Sequence, residues 1–401
     1  MSATVTELIA ELGQVPGGPE DAADLDVFQM DDDPIPPRGW LLGNVFCRSY
    51  LSSIIADGGA GKTALRIAQC LSLATGREFT GEHVFKRCRV LLMSLEDDKS
   101  ELRRRVRAAQ KHHGVDTSEL CDWLFLSTPG AKAGKLMRSD NSGRLVTGAM
   151  AAALEEGIEK HKIDFVCLDP FVKTHAVDEN SNNHIDSVMQ LLSDMASKHD
   201  IAIDVPHHVN KMGGATGDAN RGRGASAMKN AARLVYTLTA MSAEEANTFI
   251  VKEGERRQLV RVDSGKVNLA PASATKWFKL VGVELDNTSE DYPNGDNVHT
   301  VEPWFPPDIW EGLDVPMQNH ILDDIEAGMD FGVRYSAHNS ATEKAAWKVI
   351  QKHVPDTDED TAKKVIATWV KSKLLFHSEY DDPVDRKPRK GLYVDDAKRP
   401  K

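Results

Sequence analysis

The sequence predicts an α/β fold, a sheet layered between helices, followed by a small helical module with a two-stranded ribbon. Three observations carry the prediction. Short apolar runs at 54–56, 90–95, 163–169 and 201–206 alternate with stretches whose apolar residues recur at helical spacing, the pattern of a mostly parallel sheet. The first run passes directly into a glycine-rich turn and a helix, residues 51–76. After a Pro- and acid-rich stretch, about 286–316, the pattern changes to three helices and two short strands over 317–396.

Residues 1–37 hold nine acids, from Glu7 to Asp33, and no Lys or Arg. Proline clusters at 16–19 and 34–37 oppose regular structure, so a poorly ordered leader with at most a short helix near 5–12 is expected. Such a leader serves as an interaction arm, as a DNA mimic restraining a binding channel, or only as an aid to solubility. It has no basic and apolar signal-peptide pattern. No apolar run in the 401 residues approaches the ~18 that a membrane span needs. Cys47, Cys70, Cys88, Cys121 and Cys167 form no C-x-x-C pair, which predicts reduced thiols, a cytoplasmic setting and no zinc site. The net charge of −12 excludes a surface that coats nucleic acid throughout; any such contact must come from local patches.

The apolar residues Ile54, Ile55 and Ala56 read as a buried strand. Gly58, Gly59, Ala60 and Gly61 form the turn, and Lys62, Thr63 and Ala64 open a helix that Gly76 closes. Strand, glycine turn, Lys-Thr and helix is the layout of a phosphate-binding P-loop. Consecutive backbone N–H groups and a helix N-terminus hold phosphates, and glycines let the backbone approach. Lys62 would reach the β- and γ-phosphates of ATP, and Thr63 would hold Mg²⁺. Ala56 stands where the motif has its first glycine, the position that matters least for phosphate contact.

The strand at 90–95 ends in Glu96, Asp97 and Asp98, where open α/β sheets bind ligands. Glu96 could polarise a water for attack, while Asp97 or Asp98 caps the long charged helix that follows, about 101–113. Residues 123–126 read as a short strand and 148–161 as a helix. The run 163–169 ends in Asp169, the Walker B pattern: downstream of a P-loop, this acid reaches Mg²⁺ through water or bonds Thr63. A helix with Ile185, Val188, Met189, Leu192 and Met195 on its core face comes next.

The strand at 201–206 leads to His207 and His208, either of which could sense a γ-phosphate or simply end the strand. The glycine-rich loop 211–224 carries Lys211, Arg221 and Arg223 and suits contact with nucleic-acid phosphates, or is a solvated insertion. Further strands are expected at 232–240, 259–269 and 277–285. Arg261 and Lys266 on the second are candidates for a finger presented to a neighbouring subunit's nucleotide, or are surface charges. The last helix of the C-terminal module, opened by a capping-box pattern at 357–360, turns Ala362, Val365, Ile366 and Trp369 inward and Lys363, Lys364 and Lys371 outward. The ribbon tip carries Arg386, Lys387, Arg389 and Lys390. Three helices and a basic hairpin make a winged-helix-like module, for duplex DNA or for another protein.

The set GGAGKT (58–63), LMSLEDD (92–98), VCLDP (166–170), PHHVNK (206–211), GRGASA (222–227) and RVDSGKVNLAP (261–271) resembles the RepA-type hexameric helicases of plasmids and the wider RecA/DnaB-like ATPases of plasmids, phages and prophages. The resemblance covers about 38–285. It implies a RecA-like sheet, ATP and Mg²⁺ at subunit interfaces, and a hexameric ring around single-stranded DNA. By the same resemblance Glu96 matches the catalytic base, Asp169 the Walker B acid, His207 or His208 the γ-phosphate sensor, Arg261 the finger, and 211–224 the channel loop. The plasmid helicases lack the acidic leader and the winged-helix-like tail. Members of the wider group need not unwind DNA, so an ATP-switched DNA-binding accessory protein is the alternative.

Overall fold

The computed structural model describes residues 35–208, 225–249, 251–271, 273–306, 313–338, 341, 343–384 and 386–400. The expected leader helix and the loop residues Lys211, Arg221 and Arg223 lie outside them. One ten-stranded sheet organises residues 51–304. Its strands are β1 (Leu51–Ala56), β2 (Val90–Ser94), β3 (Leu124–Ser127), β4 (Phe165–Asp169), β5 (Ala202–Asp204), β6 (His207–His208), β7 (Leu234–Ala240), β8 (Leu259–Val267), β9 (Lys276–Glu284) and β10 (Asn297–Trp304). The order is β10-β9-β8-β7-β1-β5-β4-β2-β3, with β6 also beside β1. From β7 to β3 every pairing is parallel, and β7 to β10 form an antiparallel extension.

Alternation along the central strands feeds two cores. Ile54, Phe165 and Cys167 face the helices α1 (Lys62–Thr75) and α2 (Lys99–His113). Ile55, Val166 and Leu168 face α3 (Ala149–His161) and α4 (Asn182–Lys198). Both faces of these strands are apolar because helices cover both. The expected strand at 201–206 is interrupted: Val205 and Pro206 separate β5 from β6, because a proline cannot donate to a ladder.

The stretch 286–316, expected as a linker, contains β10, which pairs with β9 from Trp277↔Trp304 to Glu284↔Asn297. Thr300 and Val301 are buried. Pro303 is tolerated because this strand is the sheet's edge, and that proline with the surrounding acids hid the strand pattern. The chain returns as a β9–β10 hairpin.

The C-terminal residues form α7 (Val315–Ala327), α8 (Trp347–His353) and α9 (Glu359–Lys371), then β11 (Leu375–Asp382) and β12 (Lys387–Val394). α5 (Ala225–Ala231) and α6 (Ala243–Phe249) precede them in the chain. Ile321, Ile350, Val365, Ile366 and Trp369 share a core separate from those of the sheet. The cap of α9 is Asp358, one residue beyond the expected Thr357, and it accepts from the Thr361 amide at 3.0 Å. The strands absorb the expected basic tip. Lys387 and Lys390 lie within β12, opposite Asp382 and Glu379, and only Arg386 falls in the turn.

One buried ion pair fixes α1 over the sheet. Arg66, 2% exposed, donates to both carboxylate oxygens of Asp204 at 2.8 and 2.9 Å and to Gln69 at 2.6 Å. Ser52 of β1 donates to the same carboxylate at 2.7 Å. Arg66→Met is expected to destabilise the protein by about 3–5 kcal/mol, because it leaves Asp204 buried without its cation. Urea denaturation of the two proteins measures this, and a loss below about 1 kcal/mol, the range of an exposed pair, would contradict it.

Candidate nucleotide site

The P-loop sits where the sequence places it, between β1 and α1. Gly61 precedes α1 at φ 92°, and a Cβ there would stand 2.5 Å from Leu280 Cδ2 of β9. Only glycine meets both conditions. Gly58 and Gly59 face open space, since a Cβ on either would meet nothing within 4 Å. The antiparallel extension therefore braces the loop from behind while its front stays open.

The carboxyl ends of β1, β2, β4 and β6 converge on a cleft of about 340 Å³. Its lining includes Lys62, Thr63, Glu96, Asp169, His208 and Arg105. Thr63 donates its hydroxyl to Asp169 Oδ2 at 2.6 Å, and Lys62 Nζ lies 3.6 Å from Asp169 Oδ1. Lys62 Nζ also contacts His208 Nε2 at 3.0 Å. His208 Nε2 stands 4.0 Å from Glu96 Oε2. One strand, β5, separates β1 from β4, which leaves room between the P-loop and Asp169 for a phosphate and its ion.

Burial lowers the Lys62 pKa, with Asp169 and then Glu96 opposing the shift. Burial, and next the Lys62 charge, lower that of His208. A depressed histidine beside an ammonium is a neutral acceptor, so the Lys62 proton points at it.

The three acids after β2 have separate tasks. Asp98 caps α2, accepting from the Glu101 amide at 2.8 Å. Asp97 pairs with Arg105 at 3.1 Å, and burial raises its pKa against that arginine. Glu96 is half exposed and is left to face the cleft. The adjacent histidines diverge as neighbours on a strand must. His208 enters the cleft, whereas His207 is buried against Phe171, ring centroids 6.2 Å apart.

Arg261 and Lys266 do not line this chain's cleft. Arg261 is bidentate on Asp263, at 2.6 and 2.8 Å, and pairs with Glu245 of α6. Lys266 donates to the carbonyls of Lys229, Asn230 and Ala232 at 2.7–3.0 Å, capping the end of α5. Lys364, expected to point outward, donates to the Asn247 carbonyl of α6 at 2.8 Å. Lys371, Arg386, Lys387, Arg389 and Lys390 are exposed. Sequence reasoning missed Arg105 and His299 in the lining. Arg105 was legible as the residue two helical turns after Asp98. His299 was not, because its strand read as linker.

The donor set fits a nucleoside triphosphate with magnesium. A glycine cradle open in front, a buried lysine and a threonine hydroxyl already held by a carboxylate suit phosphates and a hard cation. When bound, magnesium would be held by Thr63 and, through water, by Asp169, and would neutralise phosphate charge. Residues 19–214 match the family model described as an AAA domain. The match contains β1 to β6 and every cleft residue named above except His299. That segment is similar to AAA-type P-loop ATPase domains. No helix among the described residues is long and apolar enough to cross a membrane.

Gly61→Ala is expected to lose nucleotide binding and stability together. The left-handed φ costs about 1–2 kcal/mol, and the tip of Leu280 must shift to admit a Cβ. Calorimetric titration with a nucleotide and a thermal melt test this; wild-type behaviour in both would refute the assigned brace. Glu96→Gln is expected to keep nucleotide affinity and lower kcat by about 10²–10⁴-fold, as loss of a general base does. Rapid turnover by this variant would remove Glu96 from the chemistry.

Proposed function

We propose that the chain is an oligomeric ATPase acting on DNA, a RepA/DnaB-like helicase or translocase on single-stranded DNA with ATP sites at subunit interfaces. The observation that carries the reading is the contact line Thr63–Asp169–Lys62–His208–Glu96 at one end of the parallel strands. Within it Lys62 and Thr63 hold phosphates and ion, Glu96 orients the attacking water, and His208 couples the phosphate end to the segment after β6. That segment leads into the glycine-rich stretch with Lys211, Arg221 and Arg223, proposed to contact the DNA strand. Loss of the γ-phosphate changes the bonding partners of Lys62 and His208, and that change is passed to the strand contact.

Arg261 is proposed as the finger for a neighbour's site. It would exchange Asp263 and Glu245 for a phosphate, so assembly must offer a stronger anion than the carboxylates it holds. The C-terminal residues are proposed as a winged-helix-like module, with Lys371 and β12 left to meet duplex DNA.

A second reading is an ATP-switched DNA-binding protein without unwinding activity. It is favoured by the Lys364–Asn247 contact, which commits one lysine of the third helix to the ATPase side and suits a module whose exposure is switched.

Steady-state ATP hydrolysis over a protein concentration series separates the readings, run without DNA, with single strands and with duplex. A superlinear rise with concentration and stimulation by single strands is expected. Hydrolysis indifferent to DNA, or stimulated only by a specific duplex, would remove the motor and leave the switch.

A further inference from the structure

α2 carries a second charged site, on the side away from the cleft. A groove of about 490 Å³ runs between this helix, the edge strand β3 and the start of the β9–β10 turn. Arg103, Arg104 and Arg107 line it, with Val106, Leu126 and Leu285 as an apolar shelf. The neighbouring cations are neutralised. Arg104 holds Asp296 at 3.0 Å and Glu101 at 3.5 Å, and Lys111 pairs with Asp286. Arg103 and Arg107 are exposed, and among the described residues neither has a carboxylate partner. They stand one turn apart on one face, about 6 Å along the axis, close to the separation of neighbouring phosphates on an extended strand. Arg103 and Arg107 thus present two guanidinium groups beside an apolar shelf.

We propose that this groove binds the phosphodiester backbone of a single-stranded nucleic acid. Arg103 and Arg107 each take a phosphate, and Leu126 and Leu285 pack against sugar and base. The groove is wired to the nucleotide cleft by one carboxylate. Glu101 uses Oε2 for Arg104, in the groove, and Oε1 for Arg105, in the cleft, the latter at 3.1 Å. Arg105 in turn holds Asp97, next to Glu96. The inference rests on the nucleic-acid part of the proposed function and adds a contact outside the 211–224 loop.

The test is fluorescence anisotropy of a labelled oligothymidylate strand with the full-length protein over a salt series. For Arg103→Ala/Arg107→Ala the slope of log K against log salt is expected to fall by about 1.4 in magnitude, the value for two single-strand phosphate contacts. The charge-keeping Arg103→Lys/Arg107→Lys protein is expected to hold the wild-type slope. Thermal melts check that both variants are folded, as exposed residues without ion pairs predict. An unchanged slope in the alanine variant, while the wild type binds the strand, overturns the groove and leaves the proposed function intact. An unchanged slope with altered sedimentation assigns the arginines to a subunit contact and overturns it equally. Displacement of the strand by tripolyphosphate at comparable concentration would make the ligand a free polyphosphate or nucleotide and overturn the strand assignment. If the wild type binds no strand, both the groove and the DNA reading fall.

Discussion

The nucleotide cleft depends on a charge pair that never touches it. Arg66 and Asp204, fully buried, tie α1 to β5, while Ser52 ties β1 to the same carboxylate. α1, which carries Lys62, is thereby joined to β1, the strand on which β6 and its His208 pair. Burial pushes the Asp204 carboxyl above its usual range, and Arg66 pulls against that. A hydrophobic pair of equal volume would pack as well and cost less desolvation, but it would not specify which rotation of α1 is correct. The pair therefore supplies position, and the apolar cores on either side supply most of the stability.

The cleft was largely legible because its chemistry is local in sequence. Glycines, Lys62 and Thr63 form one contiguous signal, and Glu96 and Asp169 each close an apolar run. The chain did not reveal which of two histidines faces inward. Side-chain alternation says only that they diverge, and the break at Pro206 removes the phase that would have carried over from β5. The long strands β7, β8 and β9 were legible from β-branched and aromatic content, whereas β10 was hidden by its proline and acids.

The C-terminal residues teach the opposite lesson. Their core was readable from helical spacing, and Ala362, Val365, Ile366 and Trp369 are inward as expected. Their surface was not. Outward on a helix means away from that helix's own core, and such a side chain can still reach a neighbouring element, as Lys364 reaches the Asn247 carbonyl of α6. Likewise a run of basic residues reads as a charged tip until the partner strand places Glu379, Asp381 and Asp382 opposite it. Opposite charges placed across the ladder in this way favour the hairpin register modestly.

Lys62 and His208 illustrate how the cleft is poised for an anion. Both are depressed by burial, so the site holds an ammonium at a desolvation cost and an imidazole that stays neutral. Asp169 and Glu96 only partly compensate the lysine: the first stands 3.6 Å away and already accepts from Thr63, and the second reaches no closer than His208. A phosphate entering the cradle would give Lys62 a nearer, more highly charged partner and release His208 from accepting its proton. Once released, His208 would bond the phosphate or Glu96 by taking the tautomer that carries its proton on Nε2 and donating it. A single ligand would thus change the contacts of α1 and β6 through Lys62, and those of Glu96, after β2, through His208.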